Sequence, residues 1–162
     1  MTLLMFPKKL ELLEDLKRRE DFDLTLPTPY SDVQRMMMNG DFRTCIAILG
    51  TKVGKTLSAT VRTASKSYQA PEDISARFRL LAPVYQQSKL SYDYMRRLFP
   101  EKIPYDIYKS EEENEYIQYV WEQNRPLFKD KQIYWRHNNA SIFTVTGDDP
   151  ATIEGEIGRA HV

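Results

Sequence analysis

The sequence predicts an α/β fold in which strands and helices alternate along the chain. Two apolar runs, at residues 42–49 and 77–82, have the length and composition of buried strands, and each is followed by a segment with helical spacing. The third observation is a short glycine-bearing segment at residues 49–56, which joins the first run to its helix. At 162 residues and 41% hydrophobic, the chain has the size and composition of one globular domain.

Five helices are predicted, from helical spacing of apolar residues, from capping residues and from composition. They are residues 8–21, a short helix that ends at residue 38, and residues 57–68, 86–98 and 111–124. The charges of the first are expected to form a solvated face. Two prolines make residues 24–30 an extended connector, because proline cannot continue a helix. Ser31 or Asp32 can cap the second helix, and Asn39-Gly40 ends it.

Strands are predicted at residues 42–49 and 77–82, and Pro83 stops the second. Residues 133–135 and 141–145 flank Asn138-Asn139, a spacing that predicts a β-hairpin near the C-terminal end. The single cysteine, Cys45, lies in the first apolar run, and we expect it to be a small core residue in a reducing compartment.

The segment Leu-Gly-Thr-Lys-Val-Gly-Lys-Thr at residues 49–56 has the residue types of a phosphate-binding loop. Backbone N–H groups and the positive end of the following helix can surround phosphate oxygens. Lys55 adds a point charge, the Thr56 hydroxyl can bind Mg²⁺, and Gly54 lets the backbone approach closely. The motif is imperfect, since Leu49 takes the usual first glycine position. A surface turn with an unrelated lysine is the alternative.

The charge balance excludes a uniformly basic protein that coats nucleic acid. The chain has 23 Lys and Arg residues against 23 Asp and Glu residues, so only a local basic groove is compatible with it. The sequence has no apolar run long enough to cross a membrane. We therefore expect a cytosolic protein with no membrane partner.

Four features in order resemble the large terminase subunits of tailed bacteriophages, whose N-terminal half is a DNA-packaging ATPase. The first two are an aromatic and a glutamine, Tyr30 and Gln34, and the loop at residues 49–56 with its internal lysine. The others are the segment Leu-Leu-Ala-Pro-Val-Tyr-Gln-Gln-Ser at residues 80–88 and the passage from Asn138 to Gly155. The resemblance covers residues 27–155.

The resemblance implies an incomplete P-loop NTPase domain of the RecA-like, three-layer type at residues 27–156, after an N-terminal helical segment at residues 1–26. It implies that Lys55 holds the β- and γ-phosphates, that Thr56 binds Mg²⁺ and that Gln34, with Tyr30, selects adenine. Lys52 would contact the γ-phosphate, so the implied catalytic residues are Lys55 and Lys52. The implied ATP-contacting set is Tyr30, Gln34, Gly50, Thr51, Lys52, Val53, Gly54, Lys55 and Thr56.

The full protein implied by the resemblance hydrolyses ATP to move duplex DNA into a procapsid, in the cytoplasm of an infected bacterial host. Its implied partners are duplex DNA, a portal ring, a small terminase subunit and further copies of itself. The alternatives are another P-loop DNA motor, such as a helicase, and a non-enzymatic chain that retains the loop.

The family's Asp-Glu strand and nuclease have no counterpart in the sequence, so we expect the 162-residue chain alone to lack ATPase activity. The last six residues resemble the translation of a sequencing adapter. We therefore treat residues 157–162 as a non-native tail and expect the natural chain to continue past residue 156.

Overall fold

A computed structural model of the chain describes Phe22, residues 24–50 and residues 54–147. The chain divides into two compact units. Among the described residues, one consists of Pro100–Arg125 with Phe22, Leu24 and Thr25, and the other consists of residues 26–50, 54–99 and 126–147. The predicted helix at residues 8–21 and the predicted tail at residues 157–162 lie outside the described residues.

The described residues form a mixed α/β structure. Its helices are α1 (Asp32–Asn39), α2 (Lys55–Gln69), α3 (Tyr85–Leu98) and α4 (Glu111–Asn124), with a 3₁₀ turn at Glu72–Ile74. Its strands are β1 (Arg77–Ala82), β2 (Leu127–Lys129), β3 (Gln132–Tyr134) and β4 (Ser141–Thr146).

The four strands form one mixed sheet in the order β1-β4-β3-β2. Strand β1 runs parallel to β4, whereas β3 is antiparallel to both β4 and β2. Helices α2 and α3 contact each other, and both pack on β1 and β4. Along β1 the side chains of Phe78, Leu80 and Ala82 are half-buried and alternate with exposed ones, which is the period-2 pattern of a strand with one covered face.

Trp135, which directly follows β3, is the largest fully buried side chain among the described residues. Its ring makes edge contacts with Tyr68, at 5.1 Å between ring centroids, and with Phe99, at 5.3 Å. Its indole N–H donates to the hydroxyl of Ser67 at 2.9 Å. A buried indole is stabilised when its N–H has a partner, so Ser67 lets the sheet bury a tryptophan against α2 and α3.

The C-terminal end of α2 is capped by a residue 71 positions after Ser67 in the chain. The buried side-chain amide of Asn138 donates to the carbonyls of Ser67 at 2.8 Å and Ala70 at 3.0 Å. Its nitrogen also lies 3.2 Å from the carbonyl oxygen of Tyr68. Its Oδ1 accepts from the N–H of Ala140 at 3.0 Å. The last carbonyls of a helix lack intrahelical partners, so Asn138 satisfies them and joins α2 to the start of β4.

Helix α1 begins and ends where its sequence predicts. The Ser31 hydroxyl accepts from the N–H of Gln34 at 3.2 Å, which is the geometry of an N-cap. At the other end Gly40 has φ of −63°, so it is not left-handed. Glycine is nevertheless favoured there, because a Cβ would overlap the Met36 carbonyl oxygen and the Phe42 ring.

The sequence predicts most of the described elements correctly. Helices α1 to α4, strand β1 and the β3–β4 hairpin are confirmed, with ends within three residues of those expected. Residues 24–30 form no helix or strand, as the prolines predict. The α/β class is therefore confirmed at the level of four helices and one four-stranded mixed sheet among the described residues.

The strand predicted at residues 42–49 is wrong. These residues form no strand, and Ile46 and Ile48 are 86% and 93% exposed. Cys45 is also exposed, so its expected place in the core is wrong too. A strand exists only where a neighbour pairs with its backbone, and none of the described strands pairs with this run.

The smaller unit is organised around α4. Ser110 caps this helix by accepting from the N–H of Glu113 at 3.1 Å, and three glutamates in its first turn lie at the positive end of its dipole. The indole N–H of Trp121 donates to the Pro100 carbonyl at 2.6 Å. Gln118 accepts from the N–H of Ile103 at 3.0 Å, so α4 fixes the segment that precedes it.

None of the helices in the described ranges is both long enough and apolar enough to cross a lipid bilayer.

Asn138→Asp should destabilise the protein more than Asn138→Ala. Alanine leaves helix carbonyls without their buried donor, at a cost of about 1–3 kcal/mol. Aspartate has nearly the same shape, but it places carboxylate oxygens against carbonyl oxygens. Urea unfolding followed by tryptophan fluorescence measures both costs, and Asn139→Asp, on an exposed neighbour, is the matched control. An Asn138→Asp variant as stable as the wild type would contradict the capping role.

Candidate functional site

The predicted phosphate loop runs directly into the N-terminus of α2. Gly54 immediately precedes this helix and has φ of 79° and ψ of 27°, a left-handed conformation that glycine adopts without steric cost. Its carbonyl accepts from the N–H of Ser58 at 2.9 Å and from the Ser58 hydroxyl at 2.7 Å. The first N–H groups of α2 have no acceptor within the helix, and the positive end of the helix dipole lies at the same place.

Lys55 is the first residue of α2, and its side chain is directed back across the loop. Its ammonium group donates to the carbonyl of Leu49 at 3.1 Å. This hydrogen bond joins the first residue of the loop to its penultimate residue. The cation is exposed and lies at the helix N-terminus, so its charge adds to the positive end of the dipole.

Thr56 follows in the first turn of α2 and is half-buried. Its carbonyl accepts from the hydroxyl of Thr60 at 2.7 Å, so its backbone belongs to the regular helix. Gly50, at the start of the loop, is exposed, and a Cβ there would meet no atom within 4 Å. The predicted contacts of Thr51, Lys52 and Val53 lie outside the described residues.

Gln34 lies against Gly54, although the two residues belong to different elements. Gln34 is 6% exposed, on the first turn of α1. A Cβ built on Gly54 would overlap the side-chain nitrogen of Gln34 and would lie 3.3 Å from its Cδ. Both the absence of a side chain at residue 54 and its positive φ therefore let α1 approach the loop.

Tyr30 reaches this cluster through its backbone. Its N–H donates to Oε1 of Gln34 at 2.7 Å, while its side chain is 91% exposed. This hydrogen bond orients the amide of Gln34, because it fixes which end of the side chain is the oxygen. Among the described residues, the structure therefore brings Gln34, Gly54 and Lys55 to one place and leaves the ring of Tyr30 in solvent.

The described part of the cluster has polar groups of the kind that bind anions. In the described ranges, no group of three or more His, Cys, Asp or Glu residues could hold a metal ion. The loop instead offers helix N–H groups, an ammonium and a glycine with no Cβ, which are features of an anion-binding site. An Mg²⁺ ion that arrives with a nucleotide is held mainly by phosphate oxygens, and a Thr56 hydroxyl is a suitable additional ligand.

Arg62 is a residue of this region that the sequence did not reveal. It lies on α2, and its guanidinium reaches carbonyls at the C-terminal end of α1, which are 22 and 25 positions earlier in the chain. No local pattern marks such a contact, because it depends on how two helices dock. The only available signal was that α1 has no basic residue in its own last turn.

Comparison of the chain with protein-family models, with curated proteins and with solved structures found no match in any of the three.

Gly54→Ala should destabilise the protein, whereas Gly50→Ala should have little effect. A Cβ in the left-handed region costs about 1–2 kcal/mol, and the overlap with Gln34 adds to this cost. At residue 50 the added methyl meets nothing, so the change should stay within about 0.5 kcal/mol. Urea unfolding of the two variants measures the difference. Equal stability would show that α1 does not approach the loop as closely as described.

Proposed function

We propose that this chain binds ATP with Mg²⁺ at residues 49–56 and is the ATP-binding part of a DNA-packaging motor of the large-terminase type. In this proposal the triphosphate lies at the N-terminus of α2, within a P-loop NTPase domain. The motor assignment rests on the order of the sequence features, and the ATP assignment rests in addition on the geometry around Gly54.

The observation that carries the proposal is the contact between Gln34 and Gly54. The sequence suggests two separate nucleotide features, a glutamine upstream and a phosphate loop downstream. A surface turn with an unrelated lysine would have no reason to meet the glutamine, yet Gln34 is buried beside the last glycine of the loop. A single ligand with a base and a polyphosphate would require the two features to be neighbours.

Different residues contact different parts of the ligand. The ammonium of Lys55 exchanges the Leu49 carbonyl for β- and γ-phosphate oxygens, which are stronger acceptors because they are charged. Backbone N–H groups of residues 51–56 surround the phosphates, and the Thr56 hydroxyl binds Mg²⁺, which neutralises phosphate charge. Lys52 contacts the γ-phosphate as a point charge without the planar fork of an arginine. Gln34 selects adenine through its amide, and the exposed ring of Tyr30 is accessible to stack on the base.

Partners follow from the same proposal. Translocation requires duplex DNA, a portal ring, a small terminase subunit and several copies of the motor subunit. Hydrolysis also requires an acidic residue that activates water. We assign no residue of the described ranges to that role.

Lys55→Ala should weaken the binding of ATP by roughly 10- to 100-fold, since a hydrogen bond to a charged group contributes about 1.5–3 kcal/mol. Fluorescence anisotropy of a labelled ATP analogue with Mg²⁺ measures the affinity. The control is Lys66→Ala, an exposed lysine in the last turn of the same helix. Equal affinity of the Lys55 and Lys66 variants would rule out the phosphate loop.

Gln34→Ala should weaken the binding of ATP and reduce the preference for ATP over GTP. A side-chain amide can both donate to and accept from the edge of adenine, and guanine presents the opposite pattern in the same pose. Competition of ATP and GTP for the labelled analogue gives the ratio of affinities. Gln123→Ala, at an exposed glutamine of α4, should keep the wild-type ratio. An unchanged ratio in the Gln34 variant would remove this residue from base recognition.

A further inference from the structure

We propose that Arg62 is a positioning residue for nucleotide selection. It fixes α1 on α2 and thereby keeps Gln34 beside the phosphate loop. The inference rests on the proposed function, because it concerns how that site is assembled. Arg62 itself is not assigned a contact with the nucleotide.

The first step concerns the stability of α1 itself. An α-helix of eight residues is too short to persist alone in water, where about 12–15 residues are needed even for favourable sequences. Only Gln34 and Met38 of this helix are buried. The position of Gln34 therefore depends on contacts that α1 makes with the rest of the protein, and its main contacts with another element are with α2.

The second step is the pair of hydrogen bonds that Arg62 makes. Its Nη1 donates to the carbonyl of Gly40 at 2.9 Å and lies 3.3 Å from the carbonyl of Met37. Both carbonyls belong to the C-terminal end of α1, which carries the negative end of the helix dipole. Since α1 has no basic residue in its last turn, the cation that complements this end comes from α2.

The third step is the aromatic ring that lies on the guanidinium. Cζ of Arg62 lies 4.1 Å from the centre of the Phe42 ring, within the range of a cation–π contact. Phe42 reaches this position because Gly40 has no side chain in the way. The guanidinium of Arg62 is thus fixed by two kinds of contact, its hydrogen bonds to the helix carbonyls and the Phe42 ring.

These contacts affect the proposed nucleotide site because they fix the position of α1, which carries Gln34. Ser58 and Arg62 lie one turn apart on α2, and Ser58 is bound to Gly54 at the loop. Arg62 fixes one end of α1, and the contact of Gln34 with Gly54 fixes the other. Removal of Arg62 leaves α1 held only near Gln34, so the short helix can pivot about that contact and move the amide of Gln34 while the loop and Lys55 remain.

The test separates base selection from phosphate binding. Affinities for ATP, GTP and inorganic tripolyphosphate are measured by competition for the wild type, Arg62→Ala, Gln34→Ala and the double variant. Arg62→Ala should lower the ATP/GTP ratio to within about twofold of the Gln34→Ala value and leave tripolyphosphate affinity unchanged. The double variant should be no less selective than Gln34→Ala alone, because both changes remove the same function.

Phe42→Leu gives a second, independent test, and Arg97→Ala controls for the loss of an arginine in general. Phe42→Leu removes the ring but keeps an apolar side chain, so it should lower the ATP/GTP ratio in the same direction. It supplies the test if Arg62→Ala fails to fold. Arg97→Ala removes an exposed arginine that lies 5.7 Å from the ring of Tyr94, and it should retain the wild-type ratio.

Three results would overturn the inference. The first is a wild-type ATP/GTP ratio in both the Arg62 and Phe42 variants. The second is an equal loss of ATP, GTP and tripolyphosphate affinity, which would indicate general destabilisation. The third is a wild-type ratio in Gln34→Ala while Lys55→Ala weakens ATP binding as predicted, which leaves the phosphate-loop assignment intact. By contrast, a wild-type protein that binds no ATP would contradict the proposed function, and the inference that rests on it as well.

Discussion

The contact between Gln34 and Gly54 is the constraint on which the candidate site depends. It exists because residue 54 has no Cβ and adopts a left-handed conformation that other residues rarely tolerate. The same residue is the N-cap of α2. One backbone geometry therefore sets both the start of the helix and the distance to the glutamine.

Helix α2 connects the candidate site to the sheet because contacts with other elements fix it along its length. Gln34 lies beside its N-terminus, Arg62 joins its middle to α1, and Asn138 donates to the carbonyls at its C-terminus. The Asn138 contact reaches the turn before β4, and Trp135 buries itself against the same end of the helix. The loop is thus supported by a helix that is fixed on the core of the unit.

The sequence predicts α1 and α4 well because their signals are local: Ser31 caps α1 as expected, and the predicted bounds of α4 match the structure, which adds Ser110 as its cap. The strand predicted at residues 42–49 is wrong because an apolar composition does not determine whether another strand pairs with the run. Strand β2 was missed because three residues are too few to show a period. Lys55 and Gln34 could be suggested from motifs, whereas Arg62 and Asn138 required the docking of segments far apart in the chain.

Hydrogen–deuterium exchange of the chain with and without ligand tests most directly whether α1 and the phosphate loop form one site. We predict that ATP with Mg²⁺ slows amide exchange in peptides that cover residues 30–36 and 49–58, because base and phosphates contact both. Inorganic tripolyphosphate should slow exchange only in the second peptide. Equal protection patterns for the two ligands, or no protection at residues 49–58 with ATP, would contradict this account.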